Sequence, residues 1–392
     1  MEKETCSSET EEVREIVQKE RLSERDLCFL LSLRTKKARA LLHSKADEVR
    51  KKSIGDTIHA RALIEFSNTC RNNCLYCGIR CGNKNLPRYR MSPEEILSTA
   101  KKAASAGYGT VLLQSGEDLS YPARTLCSII SKIRKPGLVV SLSIGERPLE
   151  EYEQFYEAGA ERVLIRFETS DPKLFKKFHP PSSPTKNNLS ARLRLLSDLK
   201  RMGYFIGSGP LIGLPGQTPL HLARDLLLFN KLGIEMAGTG PFILHPHTPL
   251  ADSDRFPVFS SLFPVSGTRH TASGMQQTTA DRMRLAEKTI DAYSCIRLLC
   301  PDIFISATTA LQTIDPFGRQ KALRAGANLL MPNITPQKYR PLYSLYPNKA
   351  CIRETADDCL TCVRMIVESL GRKWGTGPGH PPRRKPVSTS RF

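Results

Sequence analysis

Along this chain, short apolar runs rich in β-branched residues alternate with stretches whose apolar positions recur at helical spacing. Eight runs stand out: ALIEF (62–66), TVLLQ (110–114), LVVSLS (138–143), RVLIRF (162–167), YFIGSG (204–209), IEMAGTG (234–240), DIFISAT (302–308) and NLLMPN (328–333). Runs of this kind suit the buried strands of a parallel sheet, and the helical stretches supply its crossovers. The first seven are each followed by room for a helix, and a short helix fits after the eighth. The helix after the first run has its start written out. Ser92 can N-cap, Pro93 fits the first helical position, and Glu95 completes a capping box. Gly107, Gly137, Gly159, Gly203, Gly233 and Gly326 each stand shortly before a run, where a helix would end and the chain turn into a strand.

Eight strand-then-helix units predict an α/β fold, a (β/α)8 TIM-type barrel over residues 57–350. Residues 1–56 read as a charged helical extension, with Leu27, Leu30, Leu31 and Leu33 at helical spacing. Residues 351–371 form a C-terminal cysteine-bearing segment. Residues 372–392 are a Pro-, Gly- and Ser-rich basic tail whose composition predicts disorder. Two turn-rich insertions, 179–190 and 253–278, read as loops. Chemistry on a parallel barrel sits at the C-terminal ends of the strands, so polar residues should gather there. They do: Ser67 and Asn68, Gln114 to Asp118, Ser141 and Ser143 with Glu146, Arg166 and Glu168, His245 and His247, Thr308 and Thr309, Asn333. Loops are polar in any case, but that does not account for Arg166 and Glu168 within an apolar run.

Composition narrows the class. No run of 18 or more apolar residues appears, so no membrane-spanning helix is expected. The start of the chain is acidic and lacks an apolar core, unlike a secretory signal, and a cytoplasmic location is expected. The net charge of +19 raises the question of nucleic acid. Part of that charge lies in the tail and none of it forms one basic helix, so nucleic acid is disfavoured and a solvated basic surface is expected.

Of the 12 cysteines, six fall in two clusters: Cys70, Cys74 and Cys77, then Cys351, Cys359 and Cys362. Clustered thiols in a chain of this size point to metal rather than to a disulfide framework. The first cluster, C-x3-C-x2-C, directly follows the first strand. Three thiolates can ligate three corners of a cubane 4Fe–4S cluster and leave one iron open. Zinc remains an alternative with Cys81 as fourth ligand, and would fit a basic nucleic-acid-binding protein.

With Tyr76 just before its last cysteine, the first cluster resembles the signature of radical S-adenosylmethionine (SAM) enzymes. IEFSNTCRNNCLYCGIR, LLQSGED, SLSIGERP, RFETSDP, GPFILHPHTPLA and SATTALQTIDPFGRQKALRAGANLLMPN together resemble the HydE-type maturation proteins of FeFe hydrogenases, over most of the chain. Biotin synthase and methylornithine synthase are related alternatives. The resemblance implies that Cys70, Cys74 and Cys77 ligate a radical-generating 4Fe–4S cluster. It implies that Ser115, Gly116, Glu117, Ser143, Glu168 and Arg192 contact SAM. It places Ser141, Arg166, Thr308 and Thr309 toward the substrate, a small molecule or an organometallic species. Cys351, Cys359 and Cys362 would hold an accessory 2Fe–2S or 4Fe–4S cluster, present in some members and absent in others. The implied partners are an electron donor such as ferredoxin or flavodoxin and the HydG-type and HydF-type maturation proteins. On the residues alone, Arg192 reads rather as a helix-surface arginine, and Arg166 equally as half of an internal ion pair, with Glu168 or a neighbour.

Overall fold

The computed structural model describes residues 2–181, 188–251, 270–271, 274–275 and 277–382. Three helices lead: α1 (Glu2–Ile16), α2 (Glu24–Leu30) and α3 (Lys36–Ile54). The alternating part follows as β1 (Thr57–Ala60), β2 (Ala62–Ser67), α4 (Pro93–Ser105), β3 (Thr110–Ser115), α5 (Ala123–Arg134), β4 (Val139–Ser143), α6 (Leu149–Glu157), β5 (Ala160–Leu164), α7 (Pro172–Phe178) and α8 (Leu189–Met202). It continues with β6 (Phe205–Ser208), β7 (Leu211–Ile212), α9 (Pro219–Leu232), β8 (Met236–Ala237) and β9 (Gly240–Pro241). Next come a short hairpin, β10 (His270–Thr271) with β11 (Gly274–Met275), then α10 (Thr279–Leu299), β12 (Phe304–Ile305), α11 (Thr309–Ile314), α12 (Gly318–Leu323) and β13 (Leu329–Leu330). The chain closes with α13 (Ala356–Ser369) and β14 (Lys373–Trp374).

Seven strands form one parallel sheet in the order β12-β8-β6-β5-β4-β3-β2. The eighth run, β13, bridges the two edges of this curled sheet. It pairs with β1 and bridges Ser306 on one side and, through Asn333, Leu63 on the other. Backbone bonds from Ala307 to Leu329, Arg61 to Leu330 and Leu63 to Pro332 complete the closure. All eight runs thus become strands of an α/β barrel, although the last three shrink to two residues each. Prediction held at the caps too: Ser92 accepts from Glu95 N in a full capping box with Pro93 behind it. Gly203 ends α8 at φ 111°, and Gly233 ends α9 at φ 62°, turns that a side chain would oppose.

The leading helices pack on the outside of the barrel. Leu27, Leu30, Leu31 and Leu33 are all buried, and Asp291 of α10 ties down α3 through Arg39 (3.1 Å) and His43 (2.7 Å). The expectation of a disordered tail fails for its described part. β14 pairs in parallel with β1, and Pro378 O accepts from Thr110 Oγ1 and Arg162 Nη2, both at 2.9 Å. Residues 373–380 therefore lie as a strap across the floor of the barrel. The remainder of the tail, from 383, falls outside the described residues, as do most of the 253–278 insertion and 182–187 of the other. Among the described residues no helix is long and apolar enough to cross a membrane.

Candidate active site at the mouth of the barrel

The loop after β2 carries the first thiol cluster, and the barrel holds it from several sides. Asn68 donates to Pro87 O (2.8 Å) and Leu342 O (2.7 Å) and accepts from Tyr89 N. Leu75 N donates to Phe178 O at the end of α7, and Gly78 N to Leu345 O. Arg88 stitches the loop shut. Its guanidinium donates to the carbonyls of Asn68 (2.7 Å), Ile79 (2.7 Å), Arg80 (2.6 Å) and Asn83 (3.1 Å). No pattern in the sequence marked Arg88, because an arginine that binds carbonyls needs no partner residue type.

Burial raises all three thiols, Cys77 to about 12 and Cys74 well above its ordinary range, and each thiolate would also repel the others. Such a pocket keeps thiols neutral unless a cation shares their charge, which is the donor chemistry of a metal centre. Among the described residues no three His, Cys, Asp or Glu side chains converge on a single ion position. A cubane cluster, with one iron to each thiolate, does not require them to.

The end of β3 lies directly against this loop. A Cβ on Gly116 would sit 2.3 Å from Thr69 O and 2.7 Å from Cys70 Cβ, so only glycine fits. Glu117 N points at Cys70 Sγ (3.4 Å). The Glu117 carboxylate accepts from Arg71 Nε (2.5 Å), Asn72 Nδ2 (3.0 Å) and Glu146 N (2.8 Å). Its side chain is therefore committed to the loop. Ser115 Oγ donates to Gly116 O, and Ser143 stands half-exposed at the end of β4.

Arg192 is buried, against the surface reading of its helix. Its Nε pairs with Glu146 (2.5 Å), its Nη1 donates to Arg166 O (3.1 Å), and it lies over the Phe175 ring. Burial alone would lower its pKa; the Glu146 carboxylate more than reverses that. Arg166 and Glu168 do form the internal pair, at 2.9 Å. The pair leaves polarity unspent: Arg166 Nε and Ser141 Oγ are buried without a hydrogen-bond partner among the described residues. Glu168 also holds φ 66°, a left-handed conformation that costs a non-glycine residue roughly 1–3 kcal/mol. Orphaned polar atoms and a strained backbone at the strand ends are what a polar ligand would satisfy. Thr308 N-caps α11 and Thr309 Oγ1 accepts from the buried Arg319 (2.7 Å), so both threonines already have structural partners.

A further contact escaped the sequence reading. Tyr76 OH meets His179 Nε2 at 2.8 Å, and His179 Nδ1 meets Phe175 O at 2.8 Å. With Nδ1 donating to the carbonyl, a neutral ring leaves Nε2 to accept from the tyrosine. Burial, and then Arg192, push its pKa down to about 3. The unfolded chain takes up the proton near pH 6.5, the folded one only far below. This contribution to stability is complete above pH 6.5 and is lost as pH falls toward 3. Thermal melts across this range should therefore show a smaller acid loss in His179→Gln than in the unaltered protein.

The second trio gathers at the start of α13. Cys351 is pulled down to about 6 by a hydrogen bond from Cys359 and, against burial, by Arg319 and Arg340, while Cys359 is raised. Arg340 Nη1 lies 3.5 Å from Cys359 Sγ, and Cys362 is exposed one turn further on.

A parallel barrel with three clustered thiols in its first βα loop defines a class, the radical SAM enzymes, and the Radical SAM superfamily model matches residues 64–229. The [FeFe] hydrogenase maturase subunit HydE of Thermotoga maritima is 45% identical over 88% of this chain and 90% of its own. The 3-methylornithine synthase of Methanosarcina barkeri is 28% identical over 91% and 92%. The crystal structure of methylornithine synthase (PylB) has the same fold, with a TM-score of 0.73 at 24% identity over 93% of this chain and 97% of that one. The chain belongs to the HydE family of radical SAM enzymes. Enzymes of this superfamily use a 4Fe–4S cluster and SAM.

Proposed function

We propose that this enzyme is a HydE-type maturase, cleaving SAM reductively during assembly of the FeFe-hydrogenase active site. The observation that carries the reading is the three-thiol loop at the barrel mouth, in a chain this similar to HydE over nearly its whole length. Cys70, Cys74 and Cys77 would hold the 4Fe–4S cluster. When bound and reduced, that cluster supplies the electron that splits the sulfonium of SAM into methionine and a 5′-deoxyadenosyl radical.

The chain's own residues bind and orient. Arg192, fixed by Glu146, presents its remaining guanidinium edge for a carboxylate. Glu168, held beside Arg166, accepts from a hydroxyl or ammonium. The Ser115–Gly116–Glu117 segment contributes its backbone, since the Glu117 carboxylate is already committed. Deeper in, Ser141 Oγ and Arg166 Nε offer donors to an anionic, amino-acid-like or organometallic substrate, with Ser143, Thr308 and Thr309 bordering it. The buried walls exclude water from the radical. Cys351, Cys359 and Cys362 would take an accessory 2Fe–2S or 4Fe–4S cluster away from the chemistry. In this reading the enzyme works in the cytoplasm, receives electrons from a ferredoxin or flavodoxin, and stands between HydG-type and HydF-type proteins.

The test is anaerobic reconstitution with iron and sulfide, reduction, addition of SAM and quantification of 5′-deoxyadenosine. Formation of the nucleoside is expected. A protein that binds zinc and stays colourless overturns the reading, and formation of biotin or methylornithine reassigns it to the related synthases.

A further inference from the structure

We infer that Asp225 and Gln217 are positioning residues for Glu168: they hold the turn that carries it, and so set the affinity for SAM. The inference deepens the functional reading and rests on its assignment of Glu168 to SAM. Glu168 stands just past the end of β5 in a left-handed conformation, φ 66°. A glutamate keeps such a backbone only where its surroundings impose it. Part of the hold comes from the segment leading into β7. Glu168 N donates to Gly209 O (3.2 Å), and Leu211 N donates to Glu168 O (2.9 Å). The side chain that this backbone presents lies beside Arg166 Nη2 at 2.9 Å.

The rest of the hold comes from α9. Asp225 Oδ1 accepts from Ser170 N (2.5 Å), Ser170 Oγ (2.6 Å) and Thr169 Oγ1 (3.4 Å), the two residues that follow Glu168. Its Oδ2 accepts from Gln217 Nε2 (3.2 Å). The same Nε2 donates to Leu211 O (3.1 Å), and Gln217 Oε1 accepts from Gly213 N (2.8 Å). Asp225 therefore locks the turn behind Glu168, and Gln217 ties that lock to the segment in front of it. Asp225, Gln217 and Thr169 are all completely buried. Among the described residues no cation pairs with Asp225. Burial pushes its carboxyl up to about 7, against the hydrogen bonds from Ser170, Gln217 and Thr169. A buried carboxylate without a counter-charge is costly, and an apolar side chain would pack α9 more cheaply. The side-chain hydrogen bonds of Asp225 all go to the frame around Glu168, so that frame is what the cost maintains.

The experiment measures SAM binding to the full chain by equilibrium dialysis, with the cluster loaded and oxidised so that no SAM is consumed. 5′-Deoxyadenosine formation by the reduced protein is followed beside it. Asp225→Asn must turn an NH2 group onto Ser170 N or Gln217 Nε2, both of which are donors. It should raise the Kd for SAM on the order of tenfold and leave the rate at saturating SAM within about twofold. Glu168→Ala should raise the Kd at least as far. In that background Asp225→Asn should add nothing, because it acts through the side chain already removed. Ser170→Ala takes away one hydroxyl donor and should raise the Kd about threefold, which answers the same question should Asp225→Asn not fold. Ser294→Ala removes a buried hydrogen bond from α10 to Ala325 O and should leave the Kd unchanged. An unchanged Kd in Asp225→Asn and Ser170→Ala overturns the proposal. So does a full further loss in the Glu168→Ala background, or an equal loss in Ser294→Ala, since either makes Asp225 a support of the fold at large. If Glu168→Ala binds SAM as tightly as the unaltered protein, the assignment of Glu168 itself falls, and the proposal with it.

Discussion

Cys74→Ala is expected to abolish 5′-deoxyadenosine formation, while Cys127→Ala, a half-buried thiol on α5, leaves it intact. Burial first, and then the neighbouring Cys77 and Cys70, hold the Cys74 thiol well above the ordinary range. A thiolate there is stable only when a metal shares its charge. Without Cys74, the other two thiols would hold two corners of a cubane and the third iron would have no protein ligand. The protein should lose the brown absorbance of a loaded cluster together with all SAM cleavage. Retained cleavage in Cys74→Ala would remove this loop from the chemistry altogether.

Arg88→Ala should have the next largest effect, although Arg88 touches no thiol. Its four carbonyl partners span both ends of the cysteine loop. Hydrogen bonds from a charged donor contribute about 1.5–3 kcal/mol each, and their loss leaves the carbonyls to find water within a crowded loop. Residues that orient metal ligands typically cost 10–100-fold in metal affinity when removed, and a loss in that range is expected here. Arg88→Lys keeps the charge but not the fork, so it should fall between the two. Iron retention against a chelator measures this directly. Far-ultraviolet circular dichroism checks that the barrel survives, since no strand depends on Arg88. Unchanged iron retention in Arg88→Ala would show that the loop is held by Asn68 and the backbone alone.

The two residues differ in how readily they could be found. Cys74 stood out as a candidate because metal ligands must be particular residue types at a particular reach. Arg88 was not, because its partners are carbonyls that every residue owns. His179 was hidden for another reason: its partner Tyr76 lies 103 residues away, and only the barrel brings them together. At the level of fold, the early strands were plain because both of their faces are covered. The sixth run was harder to bound, since it splits at Gly238 into β8 and β9, which pair with different strands and keep two residues each. The tail misled through its composition. Its glycines and prolines signalled disorder, yet glycine is what lets backbone lie on backbone here. A Cβ at Gly109 would fall 2.1 Å from the carbonyl of Gly377.

The cysteine loop is finished by parts of the chain that are made late. Asn68 waits for Leu342, 274 residues downstream, and Gly78 for Leu345. The floor strap waits longer still, because β14 pairs with β1. A ribosome making this protein exposes the three thiols long before their surroundings exist. The nascent chain therefore carries them on an open, unsupported segment for most of its synthesis. Metal delivery that must find a shaped pocket can begin only once those later segments have been made, and the thiols need a reducing environment until then.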